Sequence, residues 1–138
     1  MFLATHRRLT EGVEATLASA ALPPLAWYDV LWELEKAEDG RLRMHELAKR
    51  VVITRSNLTR LVDRMESAGL ISRQRCADDR RGAHAALTAA GRAMRKRMWP
   101  VYSVQIEATF SSHLTETEAR LLAATFGKLL AAMRGTPS

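Results

Sequence analysis

The stretch TRSNLTRLVDRMESAGLISRQRCADDRRGAHAALT, Thr54 to Thr88, decides how this chain folds. Thr54 is a good N-cap, because its hydroxyl can accept from the open amides of a first helical turn, and the pattern RSNLTRLVDRMESA predicts a helix up to Gly69. Gly69 closes that helix, since a left-handed C-terminal residue is cheapest as glycine, and Leu70 then folds back on Met65. Two extended runs follow, LISRQRC and AHAALT, around ADDRRG, and together they read as a β-hairpin. A turn needs Gly and Asp, but it does not need the two arginines, Arg80 and Arg81, at its tip.

On the N-terminal side, MHELAKRV reads as a helix of about two turns without a Ser or Thr cap. It joins the Thr54 helix through a tight turn at Val52 and Ile53, the spacing of a helix-turn-helix. RLR, just before it, reads as a short strand. Further out, LAWYDVLWELEKA is a helix ending before Asp39 and Gly40. Pro24 is expected at its first position, Tyr28, Leu31 and Leu34 form its core face, and Trp27, Val30 and Trp32 extend that face. A first helix is expected over about Phe2 to Ala20, with Phe2, His6, Leu9, Val13 and Leu17 in one stripe. On the C-terminal side, Thr88 caps a long helix to about Phe110 that Pro100 should kink or break. Thr115 and Glu118 form a capping box ahead of ARLLAATFGKLLAAMR, in which Leu122, Phe126, Leu129 and Met133 share a face. The expected fold is mainly α, about six helices with a small β-hairpin wing, a winged helix-turn-helix. Residues 36–97 would form the winged lobe and residues 1–35 and 98–138 the flanking dimerisation helices.

The 138 residues fit one domain, with 47% hydrophobic and 26% charged residues as in an ordinary soluble protein. No apolar run reaches membrane-spanning length and no signal-peptide core is evident, and Cys76, the single cysteine, fits a reducing, cytoplasmic setting. Charge is unevenly spread. From Arg41 to Arg97 there are fifteen Lys and Arg against five acids, whereas the flanks hold six against ten. A basic middle between acidic ends is a footprint for a polyanion such as nucleic acid. A solvated, arginine-rich surface is the alternative.

With about 100° per residue, Leu58, Leu61, Val62 and Met65 fall on one side of the Thr54 helix and must be buried. Ser56, Arg60, Asp63 and Ser67 then lie opposite, flanked by Asn57, Thr59 and Arg64. Ser56, Asn57, Thr59 and Arg60 stand near the N-terminal end, where the second helix of a helix-turn-helix meets base edges in the major groove. Arg64 and Ser67, nearer the other end, read as solvent-facing. Arg80 and Arg81 at the hairpin tip are candidates to reach the minor groove. Asp79 can hold Arg81 by a paired salt bridge, while Asp78 reads as a turn residue capping its own backbone. Two copies related by a two-fold axis would cover successive major grooves roughly 34 Å apart, and the apolar stripes at both chain ends offer the surface for pairing.

The block LTRLVDRMESAGLISRQRCADDRRGAHAALTAAGRAM, Leu58 to Met94, closely resembles the MarR family, the multiple-antibiotic-resistance regulators, with their D-x-R pattern at Asp79 and Arg81 and an LT-x-x-G start to the next helix. In element order the likeness runs from Leu22 to Leu130. It implies a homodimer of winged helices on a pseudo-palindromic operator of double-stranded DNA, Arg81 as the minor-groove residue, and Asp79 as its anchor. It also implies Asp63 as a wing-supporting acid paired with Arg73 or Arg75. Met44-His45 departs from the family's frequent capping Ser or Thr. The function implied is a sequence-specific transcriptional regulator, a repressor released by a small aromatic or phenolic ligand. A winged-helix module binding nucleic acid without sequence preference, or a protein partner, is the alternative.

By that likeness an effector would bind near the first, second and long fifth helices, making His6, Trp27, Tyr28 and Trp32 candidate lining residues. Aromatic residues at helical spacing also read simply as core. Cys76 beside arginines reads as a structural thiol, and redox sensing by it is the other reading. His6, His45, His84 and His113 lack ligand spacing, so no metal is expected, and no cofactor. No phosphate-binding glycine loop, H-E-x-x-H or nucleophile elbow is present, so an enzyme is not expected.

Overall fold

The computed structural model describes residues 1–51, 53–75 and 82–134. Within them the order is α1 (Phe2–Ser19), α2 (Leu25–Lys36), β1 (Arg41–Arg43), α3 (Met44–Arg50), α4 (Arg55–Ser67), β2 (Ile71–Arg75), β3 (Ala83–Leu87), α5 (Ala89–Thr109) and α6 (Glu116–Arg134). Six helices surround a small antiparallel sheet, the expected winged helix-turn-helix.

The sheet is larger than a hairpin. Its order is β1-β3-β2, so the return strand of the wing is central. β1 pairs with it from Arg41 opposite Ala86 to Arg43 opposite His84, and β2 from Ile71 opposite Leu87 to Arg75 opposite Ala83. RLR is thus a strand whose partner lies some forty residues on, a pairing that local pattern does not announce.

The α4 terminus closes as its glycine requires. Gly69 has φ 75°, its N–H donates to the Glu66 carbonyl, and the Leu70 N–H reaches the Met65 carbonyl at 3.0 Å. Thr88 caps α5 by accepting from the Gly91 N–H at 3.0 Å and donates its own hydroxyl to the Gly69 carbonyl at 2.7 Å. One side chain therefore starts α5 and ties it to the end of α4. Gly91 packs beneath Leu70 so closely that an added Cβ would lie 2.1 Å from the Leu70 oxygen.

Two local expectations change. Pro24 is the residue before α2 rather than its first member. The amide of Leu25 is capped from outside the element, by Glu14 Oε1 of α1 at 2.6 Å. α5 also runs unbroken through Pro100, although proline offers no N–H to the carbonyl one turn back. The core joins Val13 and Leu17 of α1, Tyr28, Val30, Leu31 and Leu34 of α2, Leu47 of α3, the inner face of α4, Ile71, Ala85 and Met98. The apolar stripe of α1 is buried only in its second half. Phe2 and Leu3 remain exposed.

Candidate nucleic-acid interface

Leu58, Leu61, Val62 and Met65 are each at most 3% exposed, so the other side of α4 must face outward. Ser56, Asn57, Thr59, Arg60, Asp63, Arg64 and Ser67 are all exposed. Thr54 caps the helix by accepting from the Asn57 N–H at 3.4 Å, and its hydroxyl lies 3.4 Å from that of Ser56. Among the described residues, neither Arg60 nor Arg64 is in an ion pair, and both guanidinium groups face solvent.

α4 is a ridge between two grooves. Along one flank, Ala26 and Ile53 face Asn57, Arg60, Asp63 and Arg64. Along the other, His45 of α3 and Gly82 and Ala83 of the wing face Thr59 and Arg73. A rod of polar side chains with a groove on each side has the form that fits into the duplex major groove, with a phosphate strand on either flank. His45 had no role in the sequence reading. Its place on the first turn of α3 becomes informative only when α3 and the wing are seen to share a groove.

Arg73 is the hinge pin between wing and ridge. Its Nη2 lies 2.5 Å from Asp63 Oδ1 and donates to the Thr59 carbonyl at 3.1 Å. Its main-chain N–H donates to Glu66 Oε2 at 2.7 Å. β2 is therefore tied to α4 twice, by side chain and by backbone. Glu66 was missed in the sequence, although it stands three residues from Asp63 on a neighbouring part of the helix surface. Arg75 is exposed at the end of β2. Asp79, Arg80 and Arg81, with Cys76 and Asp78, lie outside the described residues.

The four effector candidates do not form one group. His6 lies on the exposed half of α1, and Trp27 is half-buried against the core. Tyr28 and Trp32 face α5. The Tyr28 ring stacks on Trp99 with centroids 6.0 Å apart and meets Tyr102 edge-on at 5.1 Å. Trp99 and Tyr102, absent from the sequence reading, stand three residues apart across Pro100 and meet each other at 90°. Burial raises the pKa of the Tyr28 hydroxyl, opposed by the neighbouring Arg95 guanidinium. Burial also raises that of Tyr102, with Asp29 adding to it. Asp29, an exposed residue of α2, is pushed up to about 6, first by partial desolvation of its carboxyl and then by Glu33 and Glu14.

Among the described residues, no group of three or more His, Cys, Asp and Glu is arranged to hold a metal ion, and no helix is long and apolar enough to cross a membrane.

The sequence profile of the MarR family matches residues 22–82. The chain is similar to the HTH-type transcriptional regulator PrsX of Escherichia coli, 32% identical over 104 residues that cover 75% of this chain and 62% of PrsX. It is also similar to the HTH-type transcriptional repressor YetL of Bacillus subtilis, 32% identical over 64% of this chain and 53% of YetL. The chain thus spans less than two thirds of the length of these relatives. Among solved structures, it superposes on Sco3205, a MarR family transcriptional regulator from Streptomyces coelicolor in complex with DNA, with a TM-score of 0.89 and 30% identity over 99% of this chain and 85% of that one. AbsC, a MarR family regulator of the same organism, gives a TM-score of 0.88 and 29% identity over 98% and 90% of the two chains.

Proposed function

This chain belongs to the MarR family, and we propose that it is a transcriptional regulator that binds a pseudo-palindromic site in duplex DNA as a homodimer. The observation that carries the reading is the ridge of α4, with Ser56, Asn57, Thr59 and Arg60 exposed at its leading end and a groove on either flank. Ser56, Asn57, Thr59 and Arg60 meet base edges, while Arg80 and Arg81 of the wing reach the adjacent minor groove with Asp79 anchoring Arg81. Asp63 and Arg73 hold the wing to the ridge, and Arg75 extends its basic edge. The neighbour Sco3205 was solved on DNA, which is consistent with this use of the same fold.

The dimer reading rests on α6, which has no buried residue although Leu121, Phe126, Leu129, Leu130 and Met133 give it an apolar side. An uncovered apolar helix beside the exposed Phe2 and Leu3 needs a partner surface, and a second copy supplies the same stripes. The dimerisation helices are those of residues 1–35 and 98–138, and the winged lobe spans residues 36–97. We extend the reading to repression relieved by a small aromatic or phenolic ligand held where α2 meets α5. The mixed aromatic corner of Tyr28, Trp99 and Tyr102, with Trp32 nearby, offers ring faces to such a ligand.

The test is selection of bound duplexes from a random pool, then anisotropy titration of the winner and a scrambled duplex at several salt concentrations. The expected winner is an inverted repeat whose preference persists at physiological salt. Affinity that collapses with salt for both duplexes alike would leave only a phosphate-binding surface.

A further inference from the structure

α5 and α2 are the two rods that carry the winged lobe. α5 begins in it, fastened by Thr88 to the end of α4, and its far part lies along α1. α2 begins at α1, held by Glu14, and ends against the sheet and α3. Where the rods meet, Glu35 of α2 places its carboxylate against two guanidinium groups of α5, Arg92 at 3.2 Å and Arg95 in direct contact. The side chains of Glu35 and Arg95 are 13% and 14% exposed. Trp32, three residues before Glu35, lays its ring over the Arg95 guanidinium with 5.1 Å to the ring centre. The cluster takes one helical face from each rod, Trp32 and Glu35 from α2 and Arg92 and Arg95 from α5.

Such a pair is a poor way to add stability. Desolvation offsets most of the attraction, and a well-packed apolar pair of similar volume is commonly as stable or more so. Its distinguishing property is angular. A carboxylate held against two guanidinium groups, one of them capped by an indole ring, keeps both ion pairs only near one rotation of α2 against α5, although Glu35 Oε2 and Arg95 Nε make no hydrogen bond there, whereas apolar side chains tolerate a slide. We propose that the Glu35–Arg95 pair under Trp32 is the lock that fixes the winged lobe at one angle to the dimerisation helices, and so sets the half-site spacing that the dimer accepts. This rests on the DNA-binding dimer reading above. Neither residue touches DNA in it; both are positioning residues. The lever is adequate, because each base pair added between half-sites turns them by roughly 34° and separates them by about 3.4 Å.

The test compares the wild-type chain with Glu35→Leu/Arg95→Met, which removes both charges, and Glu35→Gln, which removes one with little change of shape. Spin labels on Ser67→Cys of α4 and Glu107→Cys of α5, both exposed positions, in a Cys76→Ser background diluted with unlabelled chain, read the angle between lobe and rod without DNA. The wild type should give one narrow distance. The double variant should give a distribution about twice as wide while melting within a few degrees of wild type, and Glu35→Gln an intermediate width. On the selected operator and on versions lengthened or shortened by one or two base pairs, the wild type should lose about tenfold per step. The double variant should hold its best affinity within about threefold and lose the discrimination between spacings. An unchanged distance width, or an unchanged loss per step, overturns the lock. A wild type with a narrow distance but no preferred duplex overturns the DNA-binding reading and the spacing claim with it, and broadening in the variants would still establish the angular role.

Discussion

A Cβ placed on Gly91 would sit 2.1 Å from the Leu70 carbonyl oxygen and 2.8 Å from Leu87 Cδ1, and the first of these is backbone that cannot swing aside. Gly69 contrasts with it: φ is 75° there, but an added methyl would meet nothing within 4 Å. Gly91→Ala should therefore cost about 3 kcal/mol or more by overpacking, and Gly69→Ala only about 1 kcal/mol of backbone strain. Urea denaturation of the two variants checks this, and equal losses would contradict the close-approach account. Asp29 carries a pH signature. In the folded chain its carboxyl holds a proton up to about pH 6, against an ordinary value of 3.8, so between those values the folded state binds more protons than the unfolded one. Stability should then fall as pH rises through that window. Asp29→Asn should melt with wild type near pH 4 and above it at pH 7. Identical melting curves across the range would contradict the raised value and with it both the desolvation of the carboxyl and the repulsion from Glu33 and Glu14. At the interface, Arg60→Ala should weaken operator binding by about 1 to 3 kcal/mol and relax the preference at one base pair if Arg60 reads a guanine, but weaken all duplexes alike if it meets only phosphate.

At the scale of elements, the wing depends on one arginine. The Arg73–Asp63 pair is partly exposed, and such pairs contribute only about 1 kcal/mol or less, yet together with the Glu66 contact it fixes where β2 stands beside α4. Arg73→Ala should leave the urea midpoint nearly unchanged and lower operator affinity by about tenfold, since the phosphate and minor-groove contacts proposed for the wing would lose their register. A stability loss matching the binding loss would make Arg73 a fold residue instead. Elements with their own punctuation were legible in the sequence. Thr88 caps α5 and Gly69 ends α4, and the Thr115–Glu118 box closes α6 in both directions, with Glu118 Oε2 accepting from the Thr115 N–H at 2.8 Å and Thr115 accepting from the Glu118 N–H at 3.2 Å. The outward face of α4 was legible as well, because the position of Leu58, Leu61, Val62 and Met65 leaves Ser56 and Arg60 nowhere else to point. What escaped the sequence was contact between elements distant along the chain. The cap on α2 comes from Glu14, the partner of β1 is β3, the aromatic corner is completed by Trp99 and Tyr102, and Glu35 meets Arg95 sixty residues away. None has a local period or spacing that could have announced it.

The whole molecule leaves its most apolar surface at its two ends. α6 is 19 residues long, and helices in proteins draw most of their stability from packing of an apolar face rather than from propensity. Leu121, Leu129, Leu130 and Met133 are each more than half exposed, as are Phe2 and Leu3 of α1. The described contact between these ends within one chain is Phe2 against Phe126, with ring centres 5.3 Å apart, too little to cover either stripe. If a second copy covers them, folding and association are one process, and the melting temperature should rise with protein concentration. Leu129→Glu would place a charge in the covered stripe. Sedimentation should then shift from dimer toward monomer, helicity should fall by part of the α6 contribution, and operator affinity should drop by well over tenfold, because each monomer holds a single half-site. Lys128→Glu, a charge change one residue away at a position that is already polar and exposed, should leave all three readings near wild type. A Leu129→Glu chain that sediments as a dimer would move the interface away from α6. A monomer with undiminished helicity would show that α6 needs no partner to fold, and the pairing of lobes would then have to be explained through α1 and the exposed Val104 side of α5.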